Sequence, residues 1–522
     1  MPGKTSRTRF SRREMLTLGA GAAAACAVKG IAGAVAKSKD RPNILLLMAD
    51  QHRADCVGAD GNKAIHTPNL DRIAHEGIRF RCAYSTTPTC TPARSALLTG
   101  LSPWRHGMLG YGRVGEKYPI EMPRALREAG YYTIGIGKMH WHPQRNAHGF
   151  HEMLLDESGR AESPDFISDY RKWFKSEAPD LNPDATGIGW NDYPARAYVL
   201  PERLHPTRWT AETAMNFLKG YNRPEPWFLK VSFARPHSPY DPPERWLLKY
   251  ADAELPRAVV GKWAQRYAQR NSARDDIWHG DLGSDQVRYS RQGYYGSVSF
   301  VDEQIGRILE TLDQSGRLDQ TLIIYTTDHG DMTGDHHLWR KSYAYEASAR
   351  IPMIMRWPTG LVSAARGQVS MAPAELRDIL PTFLEAAEAP GADQLDGRSL
   401  LQLARGQISD WRKHIDLEHN ICYSPENHWS ALTDGHHKYI FHAKNGEEQF
   451  FDLDKDPGEV NDLSSDSAYS SQMRVWRERL VNHLAERGGR FVKDGKLALR
   501  PTSHLYSRNY PGCSCHPRPA TI

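Results

Sequence analysis

Apolar runs alternate with amphipathic stretches along this 522-residue chain. Residues 43–49 and 322–327 are dominated by apolar and β-branched side chains, so neither run has a side suited to solvent. Such runs are typical of strands buried on both faces of a parallel sheet. Between them, residues 297–312 place apolar side chains three or four positions apart, which predicts a helix. These elements together predict an α/β fold with a mostly parallel central sheet flanked by helices.

Further strands follow from the same pattern. Residues 133–136 and 228–233 predict two more members of the central sheet. Near the C-terminus, two short apolar runs are joined through Asn445-Gly446, a pair favoured in tight turns, which predicts a hairpin formed by residues 438–441 and 450–453.

The sequence of the N-terminal segment is typical of an export signal rather than of part of the folded domain. A basic stretch containing Arg12-Arg13 precedes a short apolar run and the small-residue site Ala34-Val35-Ala36. This order predicts a twin-arginine signal peptide over residues 1–36, and hence a periplasmic or secreted protein exported by the twin-arginine machinery. Two alternatives stay open here: a basic tail on an N-terminal helix, and lipidation of Cys26.

Net charge and cysteine content argue against several classes of function and of fold. The formal net charge is +5, but residues 1–36 hold six Lys or Arg and one Glu, so the rest of the chain is neutral. Nothing there predicts binding to nucleic acid or to an anionic membrane surface, and no later apolar run predicts a stable membrane span. Seven cysteines are too few for a disulfide framework. Cys513 and Cys515 could pair with Cys56, Cys82 or Cys422, bind a metal, or remain thiols.

Polar residues follow the two buried strands where each one ends. Asp50 and Gln51 follow the first strand, and Asp328 and His329 follow the second. Ligands of open α/β sheets bind at the carboxyl edge, and carboxylate and amide oxygens suit a hard divalent cation. The sequence therefore predicts a metal site at this edge, although an aspartate ending a strand in a turn is the simpler reading of each residue alone.

Residues 89–100 predict a short helix with candidate functional side chains in its first turns. Pro92 suits the first helical turn, Thr91 can cap, and Gly100 can end the helix. Cys90 would then lie at a helix N-terminus, where an anion is favoured, and Arg94 adds a fork for tetrahedral oxyanions. A buried structural cysteine beside a surface arginine is the alternative for this stretch by itself.

The run Cys90-x-Pro92-x-Arg94, followed by a small apolar stretch and Thr99-Gly100, resembles the signature of the sulfatases. The resemblance implies that a formylglycine-generating enzyme oxidises Cys90 to an aldehyde, which hydrates to a geminal diol. One hydroxyl attacks the sulfur and expels the alcohol, and the other releases sulfate by re-forming the aldehyde. A serine at this position would stay sulfated.

The same resemblance assigns the remaining site residues. It implies one divalent cation held by Asp50, Gln51, Cys90, Asp328 and His329. The Gly-Lys-x-His segment carries Lys138, which neutralises a sulfate oxygen, and His140, which orients or deprotonates the diol. His237 matches the Pro-His-x-Pro histidine, a general acid or sulfate donor, and Lys341 matches the lysine that stabilises the departing alkoxide.

Two positions depart from the commonest sulfatase pattern. Gln51 stands where many members have a second aspartate, and His329 stands where many have asparagine. Ca²⁺ is the first expectation for this site. Losing a carboxylate and gaining an imidazole makes the site softer, however, so Mg²⁺ and Mn²⁺ are alternatives. The pairing also resembles that of phosphonate monoester hydrolases and choline sulfatases of the same superfamily.

The resemblance extends from about residue 41 to about residue 487. Residues 452–459 resemble a sulfatase tail motif and exclude an EF-hand, because Pro457 stands where that loop needs glycine. The implied fold is an alkaline-phosphatase-like α/β core with a smaller C-terminal α+β subdomain. We predict a signal peptide over 1–36, a catalytic domain over 37–400, and over 401–522 a subdomain with a small antiparallel sheet and a tail.

Three functions follow as hypotheses. The first is hydrolysis of a sulfate ester, on a small molecule or a glycan. The second is phosphonate or phosphate diester hydrolysis by the same residues, which Gln51 and His329 favour. The third is a catalytically silent carbohydrate-binding relative, against which the intact set of motif residues argues. Trp190 and other aromatic residues of two long loops could contact substrate rings, although core packing is the simpler role of each, and His336-His337 resembles a metal pair only when taken alone.

Overall fold

The computed structural model describes residues 41–421 and 423–512. In chain order its strands are β1 (Asn43–Asp50), β2 (Ile78–Phe80), β3 (Ala83–Tyr84), β4 (Tyr132–Gly137), β5 (Glu152–Leu155), β6 (Trp227–Pro236), β7 (Thr321–Thr327), β8 (Met353–Arg356), β9 (Gln368–Ser370), β10 (Ala374–Glu375), β11 (Ile415–His419), β12 (Trp429–Thr433), β13 (His437–His442), β14 (Glu448–Asp452), β15 (Val492–Lys493) and β16 (Lys496–Leu497).

The helices lie mostly between these strands. They are α1 (Pro68–His75), α2 (Cys90–Thr99), α3 (Pro103–His106), α4 (Met122–Glu128), α5 (Asp169–Glu177), α6 (Pro206–Gly220), α7 (Glu244–Lys249), α8 (Ser284–Gln314), α9 (Glu346–Ala349), α10 (Ile379–Ala386), α11 (Leu400–Ala404) and α12 (Ser470–Leu484).

The central sheet has the spatial order β5-β4-β6-β1-β7-β8-β2-β9 within the described residues. The five strands from β5 to β7 run parallel to one another, whereas β8 pairs antiparallel with both β7 and β2. The predicted mostly parallel sheet is therefore confirmed. The carboxyl ends of β1 and β7 meet at one edge because the two strands are parallel neighbours.

Strand β1 is buried on both faces, as its sequence predicts. Ile44, Leu46 and Met48 pack into one apolar cluster, and the alternate residues Leu45 and Leu47 pack into another on the opposite face. Each such side chain contributes about 1.5–3 kcal/mol when it is fully removed from water. The core thus holds rigidly the strand that ends in Asp50.

The predicted helix over residues 297–312 is the C-terminal half of the long helix α8. Its apolar stripe, which includes Val301, Ile305 and Leu312, packs into the same cluster as Leu45 and Leu47. The helix therefore covers one face of the central sheet.

The predicted hairpin is also present, and it belongs to a separate antiparallel sheet with the order β11-β12-β13-β14. One face of this sheet packs against α12, and the other shares an apolar cluster with Tyr84, Met332 and Leu338 of the larger part of the chain. The domain boundary at residue 400 stays a prediction.

Two local predictions need correction. Helix α2 begins at Cys90, with Thr89 in the cap position and no side-chain cap, so Thr91 lies inside the helix rather than capping it. Gly100 does end the helix, with φ of 67° and its N–H bonded to the Ala96 carbonyl. Strand β6 continues to Pro236, three residues beyond the end of the predicted strand at residue 233.

Several predictions lie outside the described residues: the signal peptide, Cys26, Cys422, Cys513 and Cys515. Cys56 and Cys82 are buried and free. In the part of the chain that is described, no helix has the length and apolar character needed to cross a membrane.

Candidate active site

Four predicted metal ligands converge at the carboxyl edge of the central sheet. Asp50 ends β1, Asp328 and His329 follow β7, and Cys90 is the first residue of α2. One potential ligand atom from each of the four lies within 4.8 Å of all the others, and all four residues are buried. The fold therefore assembles in space what the sequence places more than 200 positions apart.

The orientation of these groups suits a cation. The imidazole of His329 has Nδ1 2.9 Å from the Gly330 carbonyl, which leaves Nε2 facing Cys90 Sγ at 3.2 Å and Asp50 Oδ1 at 4.0 Å. Asp50 Oδ1 is buried without a hydrogen-bond partner. An unpaired buried carboxylate oxygen is costly unless a positive group meets it, so this cluster fits a metal site.

Gln51 is positioned by its neighbours rather than by the four-residue cluster alone. Its backbone N–H donates to Asp328 Oδ1 at 3.1 Å, and its side-chain Nε2 donates to Asp331 Oδ2 at 2.5 Å. Its Oε1 accepts from Lys341 Nζ at 2.7 Å. The role of Gln51 as a metal ligand stays a prediction. Sequence reasoning missed Asp331, although it stands three residues after Asp328 in the same polar run.

Positive groups surround the carboxylates. Arg94 Nε donates to Asp328 Oδ2 at 2.8 Å, and its Nη2 lies 3.2 Å from Asp50 Oδ2, which Lys138 Nζ also contacts. Burial alone would raise the pKa of Asp50, but Lys138 and Arg94 hold it well below its usual value. Arg94 thus braces both carboxylates in this structure, an arrangement that its predicted role as an oxyanion fork does not include.

The thiol of Cys90 lies in the same positive field. Burial would raise its pKa, but Lys341 and Lys138 lower it below the usual value of a cysteine. The predicted helix N-terminus adds to this field, since α2 begins at Cys90 itself. An anionic group or transition state next to Cys90 would be stabilised for the same reason.

Lys341 and His237 form a second pair beside Gln51. Lys341 Nζ donates to His237 Nε2 at 2.8 Å, and His237 Nδ1 lies 2.8 Å from the Ser238 carbonyl. Burial and Lys341 lower the pKa of His237 well below its usual value, so this imidazole is neutral. In this hydrogen bond Lys341 is the donor and His237 is the acceptor.

Trp190 covers this pair. Its ring stacks on that of His237 with centroids 3.9 Å apart, and Lys138 Nζ lies 4.5 Å from the ring centre. The sequence identified Trp190 only as one of several loop aromatics, because nothing local distinguishes it. The structure places it against two predicted catalytic residues.

His140 is also buried, at a backbone φ of 60°. Its N–H donates to Glu157 Oε1 at 2.9 Å, and its Nε2 lies 3.4 Å from the Tyr111 hydroxyl. Burial and then Arg160 and Lys138 lower its pKa well below the usual value, so the ring is neutral. Sequence reasoning missed Glu157, whose carboxylate fixes the strained backbone of this segment from 17 positions away.

Other histidines lie apart from this cluster. His142 pairs with Glu162 at 2.5 Å on the outside of the site. His336 packs on Trp263 and Tyr345, accepts from the Gly261 N–H, and has its pKa lowered to about 4 by burial. Within the described ranges, the metal-type group contains neither His336 nor His337.

Comparisons with known proteins agree with this geometry. The protein-family model described as "Sulfatase" matches residues 42–389, and that described as "N-sulphoglucosamine sulphohydrolase, C-terminal" matches residues 334–486. An arylsulfatase of Clostridium perfringens is 37% identical over 88% of this chain and 97% of its own length. The multifunctional alkaline phosphatase superfamily protein PehA of Trinickia caryophylli is 30% identical over 85% and 95%.

Solved structures show the same fold. A phosphonate monoester hydrolase of Agrobacterium radiobacter superposes with a TM-score of 0.71 over 88% of this chain and 100% of the other, at 24% identity. BT4656 in complex with D-glucosamine-2-N,6-O-disulfate superposes with a TM-score of 0.70 at 23% identity, over 86% and 98%. Residues 487–512 lie outside both family models.

Proposed function

The chain belongs to the sulfatase family, and from this premise we propose that it hydrolyses a sulfate ester to an alcohol and inorganic sulfate with formylglycine, made from Cys90, as the nucleophile. The observation that carries the proposal is the position of Cys90. Its side chain lies at the start of α2, 3.2 Å from His329 and within the group that includes Asp50 and Asp328.

The modified residue would supply the covalent chemistry through the two hydroxyls of its hydrated aldehyde. One hydroxyl attacks the sulfur and expels the alcohol, and the other releases sulfate by re-forming the aldehyde. The protein around it binds and orients. Lys138 and the N-terminus of α2 favour the negative sulfate group at this position. His140 is neutral and its buried Nδ1 has no hydrogen-bond partner, so we assign to it the orientation of the attacking hydroxyl.

Protonation of the leaving alcohol belongs to Lys341. Its Nζ donates to two acceptors, Gln51 Oε1 and His237 Nε2, and the lowered pKa of His237 agrees with that imidazole acting as an acceptor. Trp190 lies over His237 and Lys138 and keeps water away from both. The pair therefore provides a donor at a defined point beside the nucleophile.

Asp50, Asp328 and His329, with the modified Cys90, would hold a divalent cation, and Gln51 lies beside them. When bound there, the cation would supply positive charge that stabilises the sulfate oxygens. Ca²⁺ is our first expectation and Mg²⁺ or Mn²⁺ the alternatives, because the imidazole of His329 makes an otherwise oxygen-rich site softer.

The substrate class and the cellular context complete the proposal. Similarity to the Clostridium perfringens arylsulfatase supports an aryl sulfate as a substrate, and similarity to an N-acetylglucosamine-6-O-sulfatase, 28% identical, supports a sulfated sugar. The sequence of residues 1–36 supports twin-arginine export to the periplasm or beyond. A formylglycine-generating enzyme is the required partner.

A second activity has specific support. Gln51 and His329 match the pairing of phosphonate monoester hydrolases, and the chain is 30% identical to a protein named as multifunctional. Phosphonate or phosphate diester hydrolysis by the same residues is therefore the alternative. Nothing comparable supports a silent carbohydrate-binding relative, because the motif residues are all in place around Cys90.

One comparison of rates tests the proposal. The protein is produced with a formylglycine-generating enzyme and assayed on 4-nitrophenyl sulfate and on a 4-nitrophenyl phosphonate monoester, with Cys90→Ala as the control. We expect faster turnover of the sulfate and none by the control. A higher kcat/KM on the phosphonate would favour the alternative, and equal rates for the control would contradict both.

A further inference from the structure

A large cavity lies outside the active site, along the C-terminal segment that neither family model covers. Its volume is about 930 Å³, far more than one sulfate ion needs. The strands β15 and β16 and the residues after them form most of its wall, and Trp104 and Asn420 complete it. The cavity is therefore built largely by residues 489–508, a part of the chain to which the site described above assigns nothing.

The residues that line this cavity carry mostly positive charge. Its lining includes one acidic residue, Asp494, and five basic residues, Arg490, Lys493, Lys496, Arg500 and Arg508. None of the five forms an ion pair with a carboxylate in the described ranges, and residues 513–522 contain no Asp or Glu. In a chain that is neutral beyond residue 36, this concentration of uncompensated positive charge favours an anionic ligand.

Arg500 distinguishes the cavity from an ordinary solvated surface. Its side chain is only 7% exposed, and among the residues that the structure describes its buried Nη1 has no hydrogen-bond partner. Nη2 donates to Ser430 Oγ at 2.7 Å, and the guanidinium carbon lies 4.8 Å from the centre of the Phe491 ring. A buried guanidinium that lines the cavity and has no carboxylate partner among the described residues is costly, and an anion in the cavity would compensate its charge.

The carboxylate of Glu418 does not fill this role. Glu418 accepts two hydrogen bonds from Arg487, at 2.7 and 2.9 Å, so its charge is already compensated. Burial and the repulsion of Arg487 lower the pKa of Arg500 to about 10, which agrees with a guanidinium that lacks an anionic partner.

Two segments connect the cavity to the active site. Asn420 lines the cavity, and His419 next to it bonds Thr89, the residue before Cys90, at 2.7 Å. Leu109 also lines the cavity, and Gly112 donates to Thr91 in the first turn of α2. Hydrogen bonds of residues next to the cavity wall therefore link it to the start of the helix that carries the nucleophile.

We propose that this cavity binds a second sulfate-bearing part of a multiply sulfated oligosaccharide while one of its sulfate esters lies at Cys90. The inference rests on the proposed sulfatase function and extends it. Each sugar ring offers several hydroxyls for esterification, so sulfate groups repeat along such a chain. The planar fork of Arg500 suits a tetrahedral oxyanion, and the remaining four cations suit the further charges of the chain.

Binding is the first test. A size-defined dextran sulfate oligosaccharide is titrated by calorimetry into the full-length Cys90→Ala protein, and unsulfated dextran of the same length is the ligand control. Lys493 and Lys496 are exposed, so the double change Lys493→Glu with Lys496→Glu leaves the core intact. The matched control is Lys219→Glu with Lys262→Glu, two exposed lysines outside the cavity that make the same change in net charge.

We expect the cavity variant to bind dextran sulfate about tenfold or more weakly, the control variant to keep its affinity, and unsulfated dextran to show no binding. An unchanged affinity of the cavity variant would overturn the proposal. An equal loss in both variants would also overturn it, because the attraction would then follow net charge alone.

Turnover of 4-nitrophenyl sulfate separates this proposal from the function on which it rests. In the Cys90 protein, the cavity variant should keep its kcat/KM on this small substrate, which does not reach residues 489–508. A failed sulfatase assignment would appear as no turnover by the unaltered protein, whatever the binding result. A cavity variant that loses small-substrate turnover in proportion to its loss of binding would contradict a separate subsite.

Discussion

At the scale of single residues, two sets of neighbouring side chains have different roles: one would bind the cation, and the other would protonate the leaving group. Asp50 and Asp328 belong to the metal-type cluster and are braced by Arg94, whereas Lys341 donates hydrogen bonds to Gln51 Oε1 and His237 Nε2. Negative groups can therefore hold a cation without quenching the ammonium that serves the leaving group.

Replacing Lys341 tests the second role. We expect Lys341→Ala to lower kcat by about 10²–10⁴-fold on an alkyl or sugar sulfate, because the departing alkoxide then lacks its proton donor. The loss should be smaller on 4-nitrophenyl sulfate, whose leaving group needs little protonation. Lys219→Ala is the control. Equal losses on both substrates would contradict the assignment of Lys341 as the donor.

Metal removal tests the first role. After chelation and dialysis, checked by elemental analysis, we expect turnover to disappear while the circular dichroism spectrum is kept, because Lys138 and Arg94 still pair with the carboxylates. Adding back Ca²⁺, Mg²⁺ or Mn²⁺ separately identifies the ion that restores activity. Full activity of a metal-free sample would show that the cluster does not need a cation.

The residues that sequence reasoning found and missed differ in a physical way. Cys90, Lys138 and His237 stand in short motifs whose spacing is set by local backbone geometry, so they can be recognised from the sequence alone. Glu157 and Trp190 act across loops and reach the site only through the tertiary fold. No local pattern distinguishes them from ordinary surface residues.

At the scale of secondary-structure elements, the end of β4 depends on a glycine. Gly137 has φ of +93°, and a Cβ atom there would lie 2.1 Å from the Ser232 carbonyl oxygen of β6. The same oxygen accepts the backbone N–H of Lys138 at 2.8 Å. The close approach of the two strands therefore fixes where Lys138 enters the site.

Gly137→Ala should lower the free energy of unfolding by about 2–4 kcal/mol and reduce kcat/KM, since both strain and a clash with backbone follow. Gly220 at the end of α6 is the control: nothing lies within 4 Å of a Cβ there. Gly220→Ala should change stability by less than about 1 kcal/mol. Urea unfolding and aryl sulfate turnover measure both effects, and equal behaviour of the two variants would refute this reasoning.

Which elements could be predicted follows from how each is stabilised. Strands β1, β6 and β7 are recognisable because they are buried on both faces and most of their side chains are therefore apolar or β-branched, although β6 also contains Lys230 and Ser232. The short strands β2 and β9 exist because neighbouring strands pair with them, and three residues carry no periodicity of their own. The start of α2 cannot be placed from the sequence either, because Thr89 and Thr91 have equal capping chemistry.

At the scale of the whole molecule, the small antiparallel sheet is part of the site's support. Trp429 Nε1 donates to the Ser342 carbonyl at 3.1 Å, and His419 bonds Thr89 beside the nucleophile. Ile415 and Leu417 share an apolar cluster with Tyr84 and Met332. The C-terminal region therefore contributes to the same core as the residues around Cys90.

This shared core predicts cooperative unfolding. Thermal or urea unfolding followed by far-ultraviolet circular dichroism and by tryptophan fluorescence should give coincident transitions. Two separated transitions would show instead that residues 401–522 unfold independently, as a boundary at residue 400 allows.

The central claim is that Cys90 becomes formylglycine, and peptide mass spectrometry tests it most directly. The protein is purified from its own host and digested with trypsin, which releases residues 82–94 as one peptide containing both Cys82 and Cys90. Conversion of a thiol to the aldehyde lowers the mass by about 18 Da and creates the nucleophile. We predict that fragmentation places this loss at Cys90 and leaves Cys82 unmodified. Two unmodified cysteines in catalytically active protein would contradict the formylglycine mechanism.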